Sequence, residues 1–286
     1  MGKAGEGNDS RVRDIREGPP EEYWDRLREM MGPDGLMTYW YLGRAFNQHE
    51  DPDTMRLRRD MRNRSGGILA APLAIAAPET GGWRDRDVVS APVAYALHVV
   101  DDAADVTEIQ VTRSTVRQGR KMGFSRSEIV DRARPDRIIA VTTGIGVKLA
   151  DAPPSFRPID LPPDTPDTDD LPPLHVVFGA TWDPDGWRLP PLGPKLASTS
   201  ASLHLGPIHV AFEAAAMELA TELTDTESVQ VEDWDVHFVA PGTIGPFLVR
   251  ADARAGQGGR LVSRMTLHDE GRDNALVASG AAVFRS

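Results

Sequence analysis

Ser65-Gly66-Gly67-Ile68-Leu69-Ala70-Ala71 opens one apolar run, and Leu205-Gly206-Pro207-Ile208-His209-Val210-Ala211 opens another. Gly66 and Gly206 are 140 residues apart, and the same interval separates Gly119-Arg120 from Gly259-Arg260. In each copy a glycine-led helix precedes several alternating strands. A period this long is a whole small domain, not a solenoid unit. Two copies in one chain predict a fused dimer, with any site at the seam between them.

Around the first landmark, residues 67–77 read as a helix, and Pro78 with Gly81-Gly82 closes it. Strands are expected at 88–100, 106–116, 120–130 and 137–149, joined as an antiparallel meander; Glu108-Ile109-Gln110-Val111-Thr112 alternates cleanly. Around the second landmark, residues 207–223 carry an apolar stripe through Ile208, Ala211, Phe212, Ala215, Leu219 and Leu223. Strands follow at 229–239, 247–255, 260–268 and 275–284. Alternation slips between Val231 and Trp234, which predicts a bulge near Asp233. Residues 151–173 are dense in Pro and Asp and read as a linker outside the cores.

The remaining segments are shorter. Residues 1–20 read as disordered and 21–31 as a helix ended by Gly32-Pro33. The aromatic stretch 36–42 and residues 55–58 read as strands, as does 175–182, with a turn at 183–186. The expected domains are a tail and helix over 1–33, a first unit over 34–150, the linker over 151–173, and a second unit over 174–286.

Bulk properties exclude several classes. The chain has 286 residues and no cysteine, so disulfides and thiolate chemistry are ruled out. No run is long and apolar enough for a bilayer span, and the first ten residues lack a signal-peptide core, so a cytoplasmic location is expected. Residues 1–150 are neutral, while 151–286 hold 9 Lys/Arg against 20 Asp/Glu and carry the net charge of −11. That balance argues against general nucleic-acid binding. No phosphate loop or dinucleotide fingerprint appears. Asn47-Gln48-His49-Glu50-Asp51 has one His with two acids on a loop, a weak metal signal, and no metal is expected.

A glycine-led helix followed by a meander, twice over, resembles the hotdog fold. There a curved antiparallel sheet wraps a central helix, and two units pair edge to edge. The resemblance implies an α+β chain of two tandem hotdog units forming an intrachain pseudo-dimer. A sharper resemblance is to the phenylacetyl-CoA-type acyl-CoA thioesterases, whose motif is Asn-x-x-Gly-x-x-His-Gly-Gly with an acid nine positions after the His. Gly206, His209 and Glu218 match its Gly, His and acid, with Leu203 in place of the Asn and Val210-Ala211 in place of Gly-Gly. Asn63 and Gly66 match in the first half, where Leu69 replaces the His and Pro78, beside Glu79, replaces the acid.

This resemblance implies hydrolysis of an acyl thioester at the seam, with coenzyme A as part of the substrate and no cofactor. Glu218 would be base or nucleophile, the Val210 N–H would polarise the carbonyl, His209 would shape the turn, and Asn63 would orient water across the seam. Nine helical residues turn through half a revolution, so His209 and Glu218 converge only if His209 precedes the regular helix. Gly66 and Gly206 would approach the substrate, and Arg117, Arg120 and Lys121 would meet the coenzyme A phosphates. The residues themselves leave plainer alternatives open. Glu213, Glu218 and Glu222 can form a solvated helix face, Asn63 a turn, and the basic cluster a charged hairpin. Trp234 and His237 read as core and rim. Because both copies of the motif are damaged, a non-catalytic binder of acyl-CoA or a lipid-like ligand is the alternative function. A homo-oligomer of the fused chain is compatible with either.

Overall fold

A computed structural model describes residues 12–46, 53–226 and 228–286. Residues 47–51, with His49, lie outside the described residues. Among those described, one antiparallel sheet contains β1 (Asp53–Arg56), β2 (Val88–Val99), β3 (Glu108–Gln118), β4 (Met122–Asp131), β5 (Arg134–Asp151), β6 (Thr181–Asp183), β7 (Gly186–Leu189), β8 (Gln230–Phe238), β9 (Phe247–Ala255), β10 (Arg260–Asp269) and β11 (Ala275–Arg285). Its spatial order is β1-β3-β4-β5-β2-β8-β11-β10-β9-β7-β6. The join is β2 against β8, with Tyr95 opposite Val236 and Leu97 opposite Trp234. Outward from β2 come β5, β4, β3 and β1; outward from β8 come β11, β10, β9 and β7. The repeat read from the glycines is therefore mirrored in the strand order. β8 carries the expected bulge: Val283 pairs with Asp233 and Phe284 with Val231, leaving Glu232 as the extra residue.

Two helices lie against each other in the core, α3 (Ala70–Ala76) and α5 (Leu205–Thr224). All seven residues of α3 are buried. Its small side chains let α5 come close, and Pro72 sits in the first turn, where its missing N–H costs nothing. α5 also packs on β7, β9, β10 and β11. His204 caps its start and Asp225, in a left-handed conformation, ends it. The close approach of Gly206 to Thr38 depends on the missing side chain, since a Cβ there would stand 2.4 Å from Thr38 Oγ1.

Four expectations are corrected. Residues 36–42 contain a helix, α2 (Met37–Leu42), which buries Thr38, Tyr39 and Leu42 at helical spacing. Within 175–182 a short helix, α4 (Leu174–Val177), precedes β6. Of the segment read as disordered, residues 12–20 include the buried Ile15, whose N–H donates to the Thr199 carbonyl. With α1 (Tyr23–Met30), α2 and residues 152–160, this stretch forms a second small core of Trp24, Leu27, Tyr39, Phe46 and Ile159. The Pro/Asp-rich linker has neither helix nor strand over 152–173, but it does not run outside the cores as expected: Ile159 is buried in this second core, and the Asp160 carbonyl accepts from Tyr39 Oη.

Candidate functional site

The two halves of the chain meet in a buried polar cluster. Glu213, on α5, is only 4% exposed. Its Oε1 accepts from the Ala70 N–H at 2.5 Å and its Oε2 from the Ala71 N–H at 2.8 Å. An acid of the second half thus holds the backbone that begins α3 in the first. Burial pushes the Glu213 carboxyl up to about 7, against the pull of the two N–H bonds.

Asn63 lies beside this contact. Its amide Nδ2 donates to the Val229 carbonyl at 2.7 Å and to Gln230 Oε1 at 3.0 Å, and its Oδ1 accepts from the Gly67 N–H and the Ser65 hydroxyl. Gln230 Nε2 returns a bond to the Ile68 carbonyl. Asn63 does cross between the halves, but four partners use up its hydrogen-bonding capacity. Gly67 makes the crossing possible, because a Cβ there would stand 1.9 Å from Gln230 Oε1. Gly66 adopts a left-handed turn (φ 89°), where a Cβ would meet nothing.

The residues matched to the thioesterase motif are not brought together in that pattern. His209 does not precede α5 but lies inside it, so it and Glu218 face opposite ways by helix geometry. His209 is buried, and its Nδ1 accepts from Trp234 Nε1 at 3.1 Å. An indole N–H only donates, so the ring is neutral with its proton on Nε2. Burial pulls its pKa down to about 3. Trp234→Phe removes that donor and is expected to lower unfolding free energy by about 1–3 kcal/mol in urea titrations; an unchanged midpoint would show that the bond contributes nothing. Glu218 is half-buried, and its Oε2 accepts from Trp187 Nε1 at 2.6 Å. Val210 is at a position where its N–H closes onto the Gly206 carbonyl inside the helix, so it is no free oxyanion donor. Glu79 is buried and accepts from Ser127 Oγ and Thr142 Oγ1.

A cavity of about 440 Å³ opens at the start of α5. Ile75 and Pro78 from the end of α3, Leu205 and Ile208 from α5, and Phe238 and Val277 from the sheet form apolar walls. The N-terminal cap covers it with Tyr23, Leu36 and Phe46. Glu213, Glu218, Asn63 and the basic cluster do not line it. Arg117, Arg120 and Lys121 are exposed at the β3–β4 hairpin tip. Among the described residues, no group of His, Asp and Glu could hold a metal, and no helix is long and apolar enough to cross a membrane.

No protein-family model matches the chain, and no curated protein matches its sequence. Solved structures do match its fold. A protein described as having a hot dog fold, from Alicyclobacillus acidocaldarius, is 11% identical, with 87% of this chain and 97% of that chain covered and a TM-score of 0.54. This is the hotdog fold. The acyl-CoA thioesterase II TesB2 from Mycobacterium marinum is 16% identical over 84% of this chain and 95% of its own, with a TM-score of 0.54. The tesB protein of Mycobacterium avium subspecies paratuberculosis is 11% identical over 81% and 91%, with a TM-score of 0.52.

Within the hotdog fold the sequence did carry a signal for Glu213. Residues 208–217 (Ile-His-Val-Ala-Phe-Glu-Ala-Ala-Ala-Met) hold a single charge, so this part of the helix is apolar nearly all round and has no solvated face to offer. Only Glu222, of the three acids read as one face, is exposed. Gln230 and His204 had no comparable signal, because each acts through backbone groups distant in sequence or set by a helix end.

Proposed function

We propose that this chain is a tandem double hotdog that takes an acyl thioester at the seam between its halves and hydrolyses it, with Glu213 in the acid–base role. The observation that carries this is the buried Glu213 carboxyl held on the Ala70 and Ala71 N–H groups of the opposite half. The kinship in fold with structures named as thioesterases supports it, as does the mirrored strand order.

The chemistry follows from what these groups can do. A thioester carbonyl oxygen displacing Glu213 from the two N–H groups would find donors aimed at developing negative charge. The released carboxylate, made more basic by loss of the two N–H bonds that lower its pKa, would take a proton from water as the water oxygen bonds to the carbonyl carbon. The C–S bond then breaks, and Glu213 returns the proton to the departing thiolate. In this reading Glu218 supports Trp187, and the basic hairpin tip would meet a coenzyme A phosphate only where the ligand extends beyond the seam.

A second reading is retained because both Glu213 oxygens are already engaged and the cavity lies elsewhere: the chain binds acyl-CoA without cleaving it. Incubation of the pure protein with a panel of acyl-CoA esters, followed by mass spectrometry, separates the two. Free coenzyme A released in proportion to protein is the expected result; intact thioester retained by the protein would transfer the conclusion to binding.

A further inference from the structure

Several polar groups line the cavity at the start of α5, and His204 is one whose chemistry the seam does not use. His204 lines it and is 8% exposed. Its Nδ1 accepts from the Gly206 N–H at 3.1 Å and meets Thr38 Oγ1 at 3.2 Å. A backbone N–H can only donate, so Nδ1 is unprotonated and the neutral ring carries its hydrogen on Nε2. Burial keeps the ring neutral by drawing its pKa down to about 3. Nε2 has no hydrogen-bond partner among the described residues. It is open to the cavity, so its hydrogen-bond acceptor is a water or a ligand atom there.

The walls say what that acceptor is attached to. Ile75, Leu205, Ile208 and Val277 offer an apolar surface, and the volume is in the range of small-molecule sites. A donor that cannot become a cation gives little compensation for burying a carboxylate. The arginines that line the cavity are each paired, Arg44 with Asp53 and the Thr54 carbonyl, Arg16 with Asp14, and Arg113 with the Ala76 carbonyl and Asp53, and only Arg44 Nε among their buried nitrogens is left without a partner.

We infer that this cavity is a binding site for an apolar chain bearing an uncharged carbonyl, whose oxygen accepts from His204 Nε2. The inference does not rest on Glu213, which lies outside the cavity, and it holds whether the seam hydrolyses thioesters or only binds them. The chain lies between the two core helices under the N-terminal cap, and the carbonyl sits at the first turn of α5. Neutral lipids with an acyl or keto carbonyl share this chemistry.

2-Decanone is a suitable probe, since its carbonyl is uncharged and cannot be hydrolysed. Calorimetric titration is expected to give one site per chain, and the ketone C=O stretch is expected to move to lower frequency on binding. His204→Asn keeps an acceptor for the Gly206 N–H at the helix cap but removes the Nε2 donor; it should weaken binding roughly 3- to 10-fold, the worth of one hydrogen bond, and abolish the infrared shift. Ile208→Trp fills the cavity and should abolish binding, while Glu213→Gln should leave it intact. Decanoate should bind more weakly than the ketone. The inference is overturned if the folded wild-type protein does not bind 2-decanone, or binds it with no infrared shift. Equal affinity in His204→Asn, loss of binding in Glu213→Gln alone, or tighter binding of decanoate would overturn it as well. The wild-type infrared measurement decides the matter even if a variant fails to fold.

Discussion

Glu213→Gln is expected to lower the rate of acyl-thioester hydrolysis by roughly 10²-fold or more, the usual scale for loss of a general base. Glu218→Gln is expected to hydrolyse at the parental rate, because a glutamine oxygen still accepts from the Trp187 indole. The two acids are five residues apart on one helix, so they point in directions well separated around its axis. Only Glu213 reaches backbone of the other half. A parental rate in Glu213→Gln, or a large loss in Glu218→Gln alone, would return the catalytic role to the position matched by the thioesterase motif. The same variant has a signature in stability. The Glu213 pKa is raised in the folded chain, from 4.5 to about 7, so between those values the folded state binds more protons than the unfolded. Stability from this group is therefore fully present below about pH 4.5 and is lost as pH rises through 7, by about 3 kcal/mol in all. Urea titrations at pH 5 and pH 8 should show that difference in the wild type and lack it in the glutamine variant.

Gly67→Ala is expected to destabilise the protein by about 2–4 kcal/mol, since the new Cβ falls 1.9 Å from Gln230 Oε1. Gln230 is held at both ends, by Asn63 and by the Ile68 carbonyl, so it cannot swing aside without leaving buried groups unpaired. Gln230→Ala relieves the clash while costing its own bonds. The double variant should therefore lose less than the two single losses added together, with a coupling of about 0.5–3 kcal/mol. Additive losses in chemical denaturation would mean that Gly67 and Gln230 do not share one contact.

The strands were legible because alternation follows from local geometry, and their order runs outward in matching sequence from β2 and from β8. The meander strands fall close to their expected bounds for the same reason. Residues 37–42 were misread because aromatic side chains favour strands in composition, whereas Thr38, Tyr39 and Leu42 turn inward at the three- and four-residue spacing of a helix. The site was less legible. The motif brings His209 and Glu218 together only if His209 precedes the regular helix. α5 in fact begins five residues earlier, relative to the repeat, than α3 does, so His209 falls inside it. Which acid faces α3 depends on the packing of two helices, and the sequence encodes this only through the absence of charge around Glu213. His204 became visible only when its ring contacts with Gly206 and Thr38 were in place.

Burial holds the Glu213 carboxyl near neutrality against the backbone of the opposite half. Its side-chain carboxyl carbon can be followed by ¹³C NMR in glutamate-labelled protein, with Glu213→Gln assigning the resonance. The account predicts a titration midpoint near 7, accompanied by shifts of the Ala70 and Ala71 amide protons at the same pH. A midpoint near 4.5, or amide protons that do not respond, would contradict it.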